Sequence, residues 1–239
     1  MSLVLRLFLW NERQWRRLSM RLLRRMCRIL LKLLNIQVIV EGAEGLAFVG
    51  AERLLVVPNH LSYLDVIIIQ SFLPTVFVTS REIEETPVLG QITRAAGCIY
   101  VERRHKWSVL RDINQLASLL DDGFNVTVFP EGTTTDGETL LPFKSTLLES
   151  ALRSRARVLP LCIRYERPDG SRLDLAQCDF IAWYGDRKFF PHLKRLMSLK
   201  SINVRLSLLG PIPIRSQPCR KRVTCHAQRL IEARYHAAL

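Results

Sequence analysis

The sequence predicts an α/β fold: a mixed, largely parallel sheet flanked by helices, preceded by a basic amphipathic N-terminal helical segment. Three observations predict it. Short apolar runs alternate with segments of helical period along residues 35–239, the pattern of strand–helix units. Pro and Gly close many of those runs, as turns require. Residues 1–34 combine an apolar three-and-four-residue repeat with nine basic side chains against Glu12 alone. With 239 residues, 48% of them hydrophobic, the chain can bury one sizeable core.

The elements follow in order. Leu3, Leu7 and Trp10, then Trp15, Leu18, Leu22, Met26, Ile29, Leu30 and Leu33, place apolar side chains on one helical stripe, with a break expected near Asn11-Glu12. Residues 1–34 are therefore read as membrane-docking helices and residues 35–239 as the catalytic domain. Strands are expected at 36–40, 53–57, 76–80, 98–101, 125–129, 158–165 and 202–208. Helices are expected at 64–72, 88–96, 109–121, 147–153 and 225–236.

The formal charge is +13, and most of it lies in residues 1–34. Such a basic segment implies a polyanionic partner, nucleic acid or an anionic membrane face. No nucleic-acid recognition motif or aromatic stacking block accompanies the arginines. An Arg-rich face beside a Leu/Trp face suits a helix lying in the membrane interface. No stretch reaches the ~18 consecutive apolar residues of a transmembrane helix, and the start lacks the cleavage site of a signal peptide. The expected location is peripheral or monotopic, on the cytoplasmic face of the inner membrane. Six cysteines show no CxxC spacing and fit a reducing compartment. Cys219, Cys225 and His226 lack the fourth ligand a metal site needs, so no metal is expected.

One stretch asks for chemistry. In PNHLSYLD, residues 58–65, His60 and Asp65 follow a strongly apolar strand. On a straight helix, residues five apart point about 140° away from each other. They meet if His60 lies in the turn after the strand and Asp65 in the first helical turn. Ser62 and Asp65 have the S-x-x-D form of a capping box, which starts a helix at Ser62. Asp65 then fixes one nitrogen of His60 and leaves the other as a base. This is the His-Asp part of a triad without its serine; no G-x-S-x-G elbow is present. Such a base can activate a hydroxyl of the substrate. Phe129-Pro130-Glu131-Gly132-Thr133 forms a second polar turn after a buried strand, where α/β sheets place ligands. Gly97 to Arg103 forms a third strand end, running into a basic tract.

Together these blocks resemble the glycerolipid acyltransferase family, that of 1-acylglycerol-3-phosphate acyltransferase. Asn59-His60 with Asp65 matches its NHxxxxD motif. Gly97–Arg103 matches its G-x-x-x-x-x-R block, and Phe129–Thr133, followed by Pro142-Phe143-Lys144, matches its FPEGT block. Val158-Leu159-Pro160 resembles its fourth block. The resemblance implies His60 as base and Asp65 as its orienting partner. It implies substrate binding by Asn59, Arg103, Glu131, Gly132, Thr133 and Thr134. It also implies an acyl-CoA or acyl carrier protein donor, no bound cofactor, and a lyso-lipid acceptor. The family's usual FPEGTR carries a phosphate-binding arginine where this chain has Thr134. At that position, and in Trp183-Tyr184-Gly185-Asp186 with Pro191-His192-Leu193, the chain resembles the bacterial lyso-ornithine lipid branch. Arg103 and the family pattern make 1-acylglycerol-3-phosphate, converted to phosphatidate, the expected acceptor; Thr134 points to the alternative, lyso-ornithine lipid or another lysophospholipid.

Overall fold

A computed structural model describes residues 12–42, 53–102, 106–167, 169–171, 173–214 and 219–237. The expected helix before residue 12 lies outside them. Helix α1 (Glu12–Leu33) leads into strand β1 (Ile36–Glu41). There follow β2 (Leu54–Pro58), α2 (Tyr63–Phe72), β3 (Val76–Ser80), α3 (Arg81–Glu84), α4 (Leu89–Ala95) and β4 (Ile99–Val101). Next come α5 (Lys106–Asp121), β5 (Val126–Thr127), α6 (Glu149–Ser154) and β6 (Arg157–Glu166). The chain ends in α7 (Leu175–Ile181), α8 (Phe189–Leu196), β7 (Ile202–Leu208) and α9 (Arg220–His236).

The strands form one sheet in the order β1-β7-β6-β2-β5-β3-β4. From β6 to β4 every pair is parallel. β7 runs antiparallel to β6, and β1 pairs parallel with β7. The mixed, largely parallel sheet expected from the sequence is therefore present. Both faces are covered, as a parallel sheet demands. In β2 the alternation of Cβ directions sends Leu54 and Val56 to one core and Leu55 and Val57 to the other, all four fully buried. Leu116, Leu120, Ala151 and Ile231 cover one face from α5, α6 and α9. Leu31, Leu64, Ile68 and Leu196 cover the other from α1, α2 and α8.

Several boundaries differ from the sequence expectation, each for a local reason. α9 starts at Arg220 rather than Cys225, because a basic first turn hid the onset of the apolar repeat. β5 keeps only two residues in the ladder; after it the chain turns into the FPEGT segment. α3, α7 and α8 were not expected. Each is eight residues or fewer, too short for a helical period to declare itself.

Helix α1 has three arcs rather than two. Met20, Cys27 and Leu31 are buried against the domain. Arg24 and Arg28 donate from Nε to the Ser71 carbonyl at 3.1 and 2.9 Å, capping the C-terminal end of α2. Leu18, Leu22, Met26, Ile29, Leu30 and Leu33 are exposed, Leu33 at 77%. At ~100° per residue they occupy one arc of about 120°. Arg17, Arg21, Arg25 and Arg28 fall on the arc beside it, with Lys32. Among the described residues, no helix is long and apolar enough to cross a membrane.

Candidate active site

Because β2, β5, β3 and β4 are parallel neighbours, their carboxyl ends open on one edge. Ligands of α/β sheets bind at such an edge. A cavity of about 760 Å³ lies there. It receives His60 after β2, Phe129, Pro130 and Gly132 to Thr134 after β5, Ser80 at the end of β3, and Glu102 after β4. The turns that the sequence analysis singled out thus meet at one place.

His60 sits in the turn before α2, and Asp65 in the first turn of α2, as the capping pattern requires. His60 Nδ1 lies 2.9 Å from Asp65 Oδ2. The same oxygen accepts from the Leu61 and Ser62 backbone N–H groups at 2.7 and 2.9 Å. Tyr165, on β6, donates its hydroxyl to Asp65 Oδ1 at 2.7 Å. Four donors thus converge on a fully buried carboxylate, which offers about four acceptor positions. With Asp65 accepting at Nδ1, the tautomer carries its proton there and leaves Nε2 as an acceptor. Burial, with the Asp65 charge beside it, pushes the Tyr165 phenol well up, so it stays a donor. Sequence reading missed Tyr165; a tyrosine in an apolar strand carries no signal of what its hydroxyl reaches.

The His60 ring is stacked on Phe129, with centroids 3.7 Å apart, and is 18% exposed. One ring face is thus covered while the cavity side stays open. Ser62 does not behave as a nucleophile. Its residue is fully buried and its Oγ has no hydrogen-bond partner. The half of the capping box that forms firmly is Asp65 reaching back to the Ser62 N–H.

Glu131 supports the backbone of the base. Its Oε1 accepts from the His60 N–H at 2.7 Å and its Oε2 from the Leu141 N–H at 2.9 Å. Burial pushes its carboxyl from the ordinary 4.5 up to about 7. A carboxyl raised by folding binds its proton more tightly in the native state. Its contribution to stability is therefore greatest at low pH and is lost as pH rises from 4.5 to 7. A shift of this size corresponds to about 3 kcal/mol. Replacing Glu131 with Gln should flatten the slope of unfolding free energy against pH in that window, read by denaturant melts. An unchanged slope would assign the titration to another group.

Asn59 is fully buried. Its carboxamide donates to the Ile163 carbonyl at 2.9 Å and accepts from the Ile163 N–H at 2.8 Å. Its polar atoms are spent clasping the end of β2 to β6, so its place is in the scaffold beneath His60. Gly132, Thr133 and Thr134 all line the cavity. Thr134 donates its hydroxyl to the Trp183 carbonyl, and the Trp183 N–H donates to the Leu61 carbonyl at 3.0 Å. Trp183 therefore braces the FPEGT turn against the His60 turn. Its ring meets Tyr63 edge-on at 5.9 Å, in a cluster with Phe189 and His192. His192 is buried there, with its Nδ1 3.2 Å from the Tyr63 hydroxyl, and is a packing residue. Arg103 lies outside the described residues. Among the described residues, no group of three or more His, Cys, Asp or Glu is placed to hold a metal ion.

Comparisons with known proteins agree with this geometry. A family model described as Acyltransferase matches residues 37–164, which include every described residue of the base, its carboxylate and the FPEGT turn. The lyso-ornithine lipid O-acyltransferase of Pseudomonas aeruginosa is 38% identical over 68% of this chain and 60% of its own length. The 1-acyl-sn-glycerol-3-phosphate acyltransferase of Neisseria meningitidis is 32% identical over 65% of this chain and 58% of its own. The matches thus span about 60% of the length of these curated relatives. The crystal structure of the 1-acyl-sn-glycerophosphate (LPA) acyltransferase PlsC from Thermotoga maritima superposes with a TM-score of 0.69, covering 97% of this chain and 85% of that one, at 20% identity. That likeness is one of fold. With the family match covering more than half of its residues, the chain belongs to the acyltransferase family.

Proposed function

We propose that this protein is an O-acyltransferase that moves a fatty acyl group from a thioester, acyl-CoA or acyl carrier protein, to the free hydroxyl of a lyso-lipid in membrane lipid biosynthesis. The observation that carries the reading is the His60–Asp65 pair at 2.9 Å, with His60 on the cavity wall and its carboxylate buried behind it. The acceptor hydroxyl gives its proton to His60 Nε2 as its oxygen attacks the thioester carbonyl. Asp65 holds the ring and stabilises the imidazolium. The tetrahedral intermediate collapses with cleavage of the carbon–sulfur bond. The proton on His60 passes to the departing thiolate, so an ester and a thiol are the products.

Two acceptors fit this reading, 1-acylglycerol-3-phosphate and lyso-ornithine lipid. The Thr134–Trp183 brace favours the second. Where the family's usual block presents an arginine to the phosphate, Thr134 spends its hydroxyl on a backbone carbonyl. The test is acyl transfer by the purified full chain, with each donor and each acceptor given separately. Ester formation on lyso-ornithine lipid in preference to 1-acylglycerol-3-phosphate is the expected result. Transfer to neither lyso-lipid would overturn the reading. Replacing Thr134 with Arg should open the brace, insert a cation, and shift preference toward the phosphate-bearing acceptor. An unshifted ratio of kcat/KM values would deny position 134 a role in acceptor choice.

The exposed apolar arc of α1 supports a peripheral location on an anionic membrane. Its basic arc reaches the headgroups while the apolar arc enters the interface. Replacing Leu22, Met26, Ile29 and Leu33 with Ser should weaken binding to phosphatidylglycerol-containing vesicles by at least about 100-fold, since each buried aliphatic side chain contributes on the order of 2 kcal/mol. The melting temperature should not fall, because all four are exposed. Undiminished vesicle sedimentation would place the membrane contact elsewhere.

A further inference from the structure

The cavity wall carries a cation that neither the catalytic pair nor the family comparison assigns. Lys144 lines the cavity, and it is exposed. Its backbone N–H donates to the Pro130 carbonyl at 2.9 Å. The preceding N–H, of Phe143, donates to Gln228 Oε1 of α9 at 3.0 Å. The lysine is thus fixed against the same turn whose Glu131 holds the His60 backbone and whose Phe129 stacks on the His60 ring.

Its side chain lies across Gly132. A Cβ built on Gly132 would stand 2.8 Å from Lys144 Nζ and 3.4 Å from its Cδ. Gly132 also has φ +78°, a conformation glycine adopts without steric cost. The turn therefore needs glycine for its backbone, and the missing Cβ leaves the space in which the Lys144 ammonium group lies. No carboxylate is paired with Lys144 among the described residues. The described acidic side chains of the wall, Glu82, Glu102 and Asp112, come from α3, the end of β4 and α5, not from the FPEGT turn. Apart from His60, Lys144 is the one basic side chain among the described residues of this wall.

A cation left unpaired on the wall of the cavity that His60 also lines offers an anion a charge-assisted hydrogen bond. The geometry points to Lys144 as the residue that binds the anionic headgroup of the lyso-lipid acceptor, phosphate or carboxylate, and so holds its hydroxyl at His60. This rests on the acyltransfer reading above. It also explains how the site keeps a cation although position 134 is threonine.

The test compares the full-length protein with Lys144→Gln and Lys144→Arg. Three acceptors are used: 1-acylglycerol-3-phosphate, lyso-ornithine lipid, and uncharged monoacylglycerol. Lys144→Gln should raise the KM of the phosphate- or carboxylate-bearing acceptor in use by roughly 10- to 100-fold, the worth of a hydrogen bond to a charged group. The donor KM and the KM for monoacylglycerol should not change, and Lys144→Arg should restore most of the loss. Which of these two acceptors responds tells whether a phosphate or the carboxylate of the zwitterionic ornithine headgroup is bound. A rise in donor KM instead would assign the lysine to the thioester's own phosphates and overturn the inference. So would a fall in kcat at unchanged acceptor KM, or no change at all. Equilibrium binding of the same acceptors by calorimetry reads Lys144 without turnover. A protein that binds an anionic acceptor through Lys144 but transfers nothing would sink the acyltransfer reading and leave this inference standing.

Discussion

Replacing His60 with Ala should lower kcat for acyl transfer by 10²- to 10⁴-fold, about the usual contribution of a positioned general base. The acceptor KM should hardly move, because the imidazole acts on a proton in flight and adds little to binding the ground state. Folding should survive. The ring is partly exposed, and the contacts that shape the turn run through the backbone. The His60 N–H still meets Glu131, and the His60 carbonyl still accepts from the Thr135 N–H at 3.1 Å. The measurement is a steady-state assay of ester formation beside a thermal melt. A soluble, folded variant that keeps wild-type turnover would remove His60 from the mechanism.

Asp65→Asn should be nearly as costly, for a different reason. An amide offers an oxygen or an NH₂ to His60, never two carboxylate oxygens. Turning its oxygen toward Leu61, Ser62 and His60 would point the NH₂ at the Tyr165 hydroxyl, which could then accept. Turning it the other way presents NH₂ to two backbone donors. The first arrangement keeps the turn but removes the negative charge that stabilises the imidazolium. A loss of kcat on the order of 10³-fold or more follows, judged from such carboxylate-to-amide changes in His-Asp catalytic sites. Because the carboxylate is fully buried, a loss of stability accompanies it. Tyr165→Phe separates the two effects. It removes one donor to Asp65 and leaves the His60 contact in place, so its kcat should fall far less. Equal losses in both variants would mean that Asp65 serves the fold and not the base.

How much of this was legible in the sequence follows from the range of the interactions. His60 and Asp65 are five residues apart, and the S-x-x-D cap is a local signal, so their meeting was readable. The alternation of strands and helices was readable as well, because β2, β3, β6 and β7 are apolar enough to declare themselves. The partners of the pair were not. Tyr165 reaches Asp65 from a strand one hundred residues away. Trp183 joins Leu61 and Thr134 through backbone carbonyls that no side-chain pattern records. Thr134 was noticed for the arginine it replaces, whereas its brace to Trp183 depends on where α7 ends. Lys144 is, in sequence, only the tail of a motif; its place over Gly132 needs the turn to be built. On α1 the apolar repeat was plain, but its division into a buried seam and an exposed arc was not. Met20 and Met26 differ by neighbours, not by chemistry.

The central claim is that the acyl group passes in one step to a lipid hydroxyl activated by His60, with no acyl-protein on the way. Two side chains near the base, Ser62 and Cys98, are poorly placed to offer an alternative. Ser62 is buried without a partner, and burial pushes the Cys98 thiol up to about 12, away from the reactive thiolate. The most direct measurement is intact-protein mass spectrometry after rapid mixing with the acyl thioester alone, followed by addition of the lyso-lipid. The prediction is an unmodified protein mass in the first stage, and ester with stoichiometric thiol only once the acceptor is added. A protein that gains the mass of one acyl group from the donor alone, and loses it to the acceptor, would contradict the account and require a nucleophile in the chain.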